Sequence, residues 1–160
     1  MKKFTLNLKI GLGVMLCGIF MAFSLGIGLA EETAFIQKML KEHYNEAPVN
    51  PAIKRYELNV TNTGFCRYKR FFTSGKVEYF SFNLVKFKDL DYYGTDKKGE
   101  LYLRTKGDDV IVQTYNDKKG DVDSMASYLS IPLKNIEPQD LSDLLEKLTK
   151  MNAQLVLVQK

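Results

Sequence analysis

Residues 100–115 have the sequence ELYLRTKGDDVIVQTY, and this stretch decides the predicted fold. It consists of two β-rich runs separated by a short polar segment around Gly107. Glycine followed by aspartate suits a two-residue turn, because Gly107 can take the positive φ that a type II′ turn requires. We therefore predict a tight β-hairpin whose two strands place their apolar residues on one face. The predicted register pairs Lys106 with Asp109, Thr105 with Val110, Leu103 with Val112 and Leu101 with Thr114.

The amino-terminal 30 residues have the pattern of a secretory signal peptide. Two lysines follow Met1, an uncharged apolar run extends from residue 10 to residue 30, and two glutamates come next. Gly28 and Ala30 supply small residues before a cleavage site, so we predict cleavage after Ala30. The run of about 20 residues is also long enough to cross a bilayer, so an uncleaved membrane anchor is the alternative. A lipoprotein signal at Cys17 is disfavoured, because Leu16 is bulky where a small residue is required.

Cleavage would change the charge balance and the cysteine content of the chain. It removes three of the 23 lysines and arginines and none of the 19 acidic residues, so residues 31–160 are close to neutral. The basic composition is then a targeting feature, and a nucleic-acid partner is not expected. Cys66 is the single cysteine left, which excludes an internal disulfide. We predict one α+β domain over residues 31–160, exported to the periplasm or the extracellular space, or anchored in the inner membrane if the signal is uncleaved.

The first part of this domain is predicted to be a helix followed by a hairpin. Residues 33–44 form the helix, because Phe35, Ile36, Met39, Leu40 and His43 fall on one stripe. Residues 53–61 alternate between apolar and polar side chains, and a second strand covers residues 65–73. A three-residue loop with Gly64 in the left-handed region joins the two strands. The register pairs Val60 with Cys66, Leu58 with Tyr68 and Glu57 with Lys69.

A third strand over residues 77–87 carries the candidate ligand site. With a two-residue loop at Ser74 and Gly75, Lys69 lies opposite Phe80 and Arg67 lies opposite Phe82. This aromatic and basic patch could hold an anionic or amphiphilic ligand through cation–π and apolar contacts. The alternative is that the basic side chains merely cover aromatic rings on a sheet surface. The alternation also fails near Leu84 and Val85, which indicates either a bulge or a strand covered on both faces.

An acidic segment follows residue 115, and it is the only candidate metal site. Asp117, Asp121 and Asp123 lie close together in the sequence, but their spacing is not that of an EF-hand. Aspartate followed by glycine is typical of tight turns, so turn chemistry is favoured over calcium binding. No cofactor is predicted. His43 is the one histidine, and a catalytic or metal role would need partners that no second histidine can supply.

The last part of the chain is predicted to be strand, helix and strand. Residues 124–131 form a strand with Met125, Leu129 and Ile131 pointing inward. A helix begins at Pro138, and its core-facing stripe contains Leu141, Leu144, Leu145, Leu148 and Met151. Residues 155–158 are four successive apolar residues and are predicted to form a final buried strand. The fold class is thus α+β, a curved antiparallel sheet, formed as a meander of hairpins, with both helices packed on it. In outline this resembles the half-barrels of exported lipid or lipoprotein carriers.

Three function classes remain open. The sequence has no nucleophile motif, no phosphate-binding glycine loop and no histidine or cysteine cluster, which favours a protein that is not an enzyme. The first hypothesis is an exported binding module for an apolar or amphiphilic ligand, or for a protein partner of the cell envelope. The second is a structural or interaction protein held in the envelope by its uncleaved anchor. A hydrolase of unrecognised class is the third.

Overall fold

The computed structural model describes residues 28–46 and 52–158. The predicted signal peptide lies outside the described residues, except for its last three. The described chain is α+β, with two helices and two antiparallel sheets. Helix α1 covers residues 28–42 and helix α2 covers Pro138–Val158. The strands are β1 Ile53–Val60, β2 Phe65–Phe72, β3 Val77–Asn83, β4 Phe87–Gly94, β5 Lys98–Thr105, β6 Val110–Tyr115, β7 Asp123–Ala126 and β8 Tyr128–Lys134.

The predicted hairpin over residues 100–115 is wrong. The strands form one sheet in the order β1-β2-β3-β6-β7 and another in the order β4-β5-β8, so β5 and β6 belong to different sheets. Strand β5 lies between β4 and β8, and β6 lies between β3 and β7, so the two strands cannot pair with each other. Gly107 also lacks the positive φ on which the predicted turn depended. Instead the Thr105 hydroxyl donates a hydrogen bond to the Gly107 carbonyl (2.6 Å), and the segment carries the chain from one sheet to the next.

Residues 77–94 and 98–115 form one long hairpin that bends between the two sheets. Val77 pairs with Tyr115 at one end, and Gly94 pairs with Gly99 at the other. The bend in the first arm is the 3₁₀ turn Leu84–Lys86. It ends β3 at Asn83, so the predicted strand over residues 77–87 is too long. The failed alternation near Leu84 and Val85 marks this turn, and neither a bulge nor a strand covered on both faces is found there. The Asn152 amide of α2 donates to the carbonyls of both residues (2.6 and 3.0 Å) and so satisfies backbone groups that leave the ladder.

The hairpin of β1 and β2 is confirmed residue for residue. Val60 pairs with Cys66 and Gly64 has a φ of 86°. The register predicted between β2 and β3 is wrong by one residue. Gly75 also has a positive φ (90°) and closes a three-residue loop of the same kind. The extra loop residue shifts the register, so that Cys66 pairs with Phe82, Arg67 with Ser81, Tyr68 with Phe80 and Lys69 with Tyr79.

Two further predictions are corrected near the end of the chain. The strand predicted over residues 124–131 is two strands, β7 and β8, which lie in different sheets and are separated at Ser127. Leu129 and Ile131 are buried as predicted, but Met125 is exposed on the edge strand β7. The predicted strand over residues 155–158 is the last turn of α2. Leu155 is still buried there, so an apolar run at a helix end was mistaken for a covered strand.

The core lies between the sheets and α2. Leu144, Leu148 and Met151 of α2 are buried against the inner-facing residues of both sheets, so the sheet–helix cleft is filled by side chains. Helix α1 packs Ile36 and Leu40 into the same core. Neither helix of the described chain is both long enough and apolar enough to span a membrane.

Helix α1 and the segment after it protect two sheet edges. The Gln37 amide donates to the Leu58 carbonyl (2.8 Å) and accepts from the Val60 amide (2.7 Å), as a neighbouring strand would. Tyr44 forms a β-bridge with Leu133, which extends the small sheet beyond β8. Edges covered in this way are poor templates for pairing with other chains.

Candidate functional site

The four predicted ligand-binding residues lie on opposite faces of the large sheet. Because side chains alternate along a strand, Arg67 and Lys69 point to one face and their neighbours Cys66 and Tyr68 point to the other. Phe80 and Phe82 pair with Tyr68 and Cys66 and therefore share the inner face. Phe82 is 2% exposed and belongs to the core. The predicted patch of all four residues is thus not assembled, because its basic half lies on the outer face and its aromatic half on the inner face.

The outer face of the large sheet carries a shallow groove of about 460 Å³, which we call the outer groove. Strands β1, β2, β3 and β6 supply its residues, so it crosses the sheet. Its volume is within the range of small-ligand sites, and its lining combines aromatic rings with a few polar groups. The lining residues are Glu57, Asn59, Arg67, Lys69, Tyr79 and Tyr115.

The two cations of the outer groove lie beside aromatic rings. The Lys69 ammonium is 5.3 Å from the centre of the Tyr79 ring, and the Arg67 guanidinium is 5.0 Å from that of Phe65. Glu57 pairs instead with Arg55, at 3.0 Å. Within the described ranges, no carboxylate oxygen lies within 4.0 Å of either groove cation. Their charge is therefore available to an anionic ligand.

On the inner face a different arginine occupies the aromatic cluster. The Arg70 guanidinium lies 5.3 to 5.8 Å from the ring centres of Tyr68, Phe72 and Phe80 and pairs with Glu78. The Glu78 carboxylate balances the charge of Arg70, and the arginine side chain is half-buried, so it has a packing role. The aromatic residues of the accessible site are instead Tyr79 and Tyr115. Gly75 was the sequence signal that could have placed Tyr79 in the site. Its positive φ gives a three-residue loop, and that loop length pairs Tyr79 with Lys69.

No protein-family model, curated protein or solved structure matches this chain.

The three aspartates of the acidic segment serve the turn after β6. Asp117 accepts hydrogen bonds from the Lys76 ammonium (2.7 Å) and the Lys119 amide (2.9 Å), and these lower the pKa of its carboxyl group. Asp121 accepts from the Asp117 amide, and Asp123 accepts from a glutamine side chain. Within residues 28–46 and 52–158, no three acidic, histidine or cysteine side chains are grouped closely enough to hold a metal ion.

The potentially reactive side chains are also engaged or buried. His43 lies between the Lys134 carbonyl (3.2 Å from Nδ1) and the Asp140 carboxylate (4.0 Å from Nε2) at the start of α2. Burial raises the pKa of the Cys66 thiol to about 12, so the thiolate is scarce at neutral pH. Tyr44 and Tyr68 share a buried hydrogen bond of 2.7 Å between their hydroxyls, and burial raises the pKa of both.

These buried acids predict a loss of stability in alkaline solution. In the folded protein Cys66 keeps its proton up to about pH 12, whereas the unfolded chain loses it above the ordinary pKa of 9.0. The contribution of the protonated Cys66 thiol to the free energy of unfolding is therefore fully present below pH 9.0. It falls by about 1.4 kcal/mol per pH unit as the pH rises toward 12. Between about pH 8 and about pH 10.5, Cys66→Ala should lose about 2 kcal/mol less stability than the wild type in urea unfolding. Equal losses would show that the thiol is not buried in the fold.

Proposed function

We propose that the protein is an exported, non-enzymatic binding module of the cell envelope that holds an anionic amphiphile in the outer groove. The observation that carries this proposal is the pair of cations, Arg67 and Lys69, left without a carboxylate partner among the described residues. An anionic head group would lie between the two cations, and Tyr79 and Tyr115 would contact the apolar part of the ligand.

The packing of the core supports the outer face over the sheet–helix cleft as the place for a ligand. The cleft is occupied by Leu144, Leu148 and Met151, each at most 1% exposed. A lipid chain would have to displace these side chains from a close-packed interior, which is costly. The outer groove needs no such rearrangement, because it is open to solvent.

The proposal is tested with decyl phosphate, an anionic amphiphile, added below its micelle concentration and followed by calorimetry. Wild-type protein should bind it, and Arg67→Ala with Lys69→Ala should weaken binding about tenfold or more, because at least one charge-assisted contact is lost. Native mass spectrometry of the purified protein provides a second readout. It should show a co-purified anionic amphiphile on the wild type and none on the double variant.

Two controls make the result specific. The double variant Lys97→Ala with Lys98→Ala removes the same charge from an exposed turn of the small sheet and should bind as the wild type does. Decyl maltoside has the same chain without the charge and should bind weakly. If decyl phosphate does not bind the wild type, or if both double variants lose it equally, the outer groove is not a site for anionic amphiphiles.

A second candidate function is an interaction protein held in the envelope by an uncleaved anchor. The observation that favours it is the continuity of α1 across the predicted cleavage point after Ala30. The two candidates are compatible, because the anchor concerns the position of the protein and the outer groove concerns its ligand.

A further inference from the structure

The described part of α1 begins beside the end of α2. The Glu32 side chain is buried (2% exposed) and pairs with Lys150 and with Lys147, the latter at 3.5 Å. Gly28 packs against Gln154, whose side-chain amide would lie 3.0 Å from an added Cβ. As residue numbers fall along α1 they rise along α2, so the two helices are antiparallel. The first described residues and the carboxyl end of α2 therefore lie at the same end of the molecule.

This end exposes large apolar side chains. Leu157 and Val158 are 65% and 61% exposed, within about one helical turn of Gln154. Phe65, which is 37% exposed, directly follows Gly64, and Gly64 lies against Leu155 in the same turn of α2. Exposed apolar and aromatic side chains at one end of a protein mark a surface that meets another protein or a membrane.

The residues just before the predicted cleavage point belong to the folded body. Leu29 packs against the core, and its carbonyl accepts a hydrogen bond from the Thr33 hydroxyl (2.7 Å). A cut after Ala30 would remove these contacts and place a charged amino group at the start of a helix, where positive charge is unfavourable. The apolar run before Gly28 is long enough to cross a bilayer.

We infer that residues 10–27 are retained as a membrane anchor and that the end bearing Leu157, Val158 and Phe65 rests on the phospholipid surface. The first described residues of α1 lie at this same end, so the chain joins the apolar run there. The inference rests on the second candidate function, the uncleaved anchor, and adds to it the part of the folded domain that meets the lipid. It holds whether or not the outer groove binds a ligand.

The chain contains no tryptophan, so a single introduced one reports on one position. Leu157→Trp places the reporter at the proposed membrane end. Tyr93→Trp is the matched control, since Tyr93 is equally exposed (60%) at the end of β4. Tyr93 lies beside the turn that contains Asp96. The Asp96 carbonyl accepts a hydrogen bond from the Ile136 amide, two residues before α2 begins. Tyr93 is therefore near the amino end of α2, whereas Leu157 is at its carboxyl end.

The experiment uses the full chain reconstituted into vesicles of phosphatidylcholine and phosphatidylglycerol with brominated acyl chains, which quench nearby tryptophan. Leu157→Trp should lose most of its emission and shift to shorter wavelength relative to unbrominated vesicles, and Tyr93→Trp should do neither. Quenching of both positions, or of neither, would overturn the inference. A chain recovered from membranes with Glu31 as its first residue would overturn it as well.

Discussion

Replacing Gly64 with alanine is expected to lower the free energy of unfolding by about 2–5 kcal/mol, one of the two largest effects that we predict. Two costs combine at this position. The φ of 86° lies in the left-handed region, which an L-residue adopts only with strain. The added Cβ would also lie 2.5 Å from Leu155 Cδ1, at the contact between the β1–β2 loop and α2.

Gly75→Ala is the matched control for this prediction. Gly75 has almost the same φ (90°) and the same place in a three-residue hairpin loop, but a Cβ there would meet no atom within 4 Å. It should therefore cost only the backbone strain, about 1–2 kcal/mol. Urea unfolding of both variants isolates the packing of the loop on Leu155. If the two variants lost the same stability, α2 would not reach the loop as described.

Replacing Phe82 with alanine is expected to cost about 3–5 kcal/mol, because the ring is buried and its removal leaves a cavity. Phe65→Ala on the outer face of β2 should cost much less, since that ring is partly exposed. Urea unfolding measures both. The observed register of β3 places Phe82 on the buried inner face, whereas the predicted register placed it on the same face as Arg67. A much larger loss of stability for Phe82→Ala than for Phe65→Ala therefore supports the observed register.

A milder substitution keeps this test informative if Phe82→Ala fails to fold. Phe82→Leu retains most of the buried volume, and it should bind decyl phosphate with the affinity of the wild type because residue 82 faces away from the outer groove. A folded Phe82→Leu variant that no longer binds the amphiphile would restore the sequence-based site and contradict the one described.

Local sequence signals predicted those elements whose partners are close in the chain. The β1–β2 hairpin followed from Gly64 and the alternation on either side of it. The leucine stripe of α2 followed from its helical spacing, and Leu144 and Leu148 are buried as expected. In both cases the contacts that decide the structure lie within one hairpin or one helix, so pattern and structure agree.

The division into two sheets could not be predicted from local patterns. Residues 100–115 satisfy the rules for a tight hairpin, yet β6 pairs with β3, 30 to 38 residues away, and β5 pairs with β8, 24 to 36 residues away. Which edges are free depends on the whole arrangement of strands. The end of α2 is a different case, because no glycine or proline stands between residues 139 and 158 to end the helix, and that signal was in the sequence.

The candidate site was half predictable for the same reason. That Arg67 and Lys69 share a face follows from strand alternation alone. Tyr79 joins them only if the loop at Gly75 has three residues, and Tyr115 joins only because β6 pairs with β3. The first condition had a signal in the sequence and the second did not.

The most direct test of the ligand site is a map of amide chemical shifts as decyl phosphate is added to the wild-type protein. We predict that the largest changes fall on the strands lining the outer groove, at Arg67, Lys69, Tyr79 and Tyr115, with little change at the buried Leu144 and Leu148 of α2. The largest changes at those core leucines, or no specific changes at all, would contradict a binding site on the open face of the large sheet.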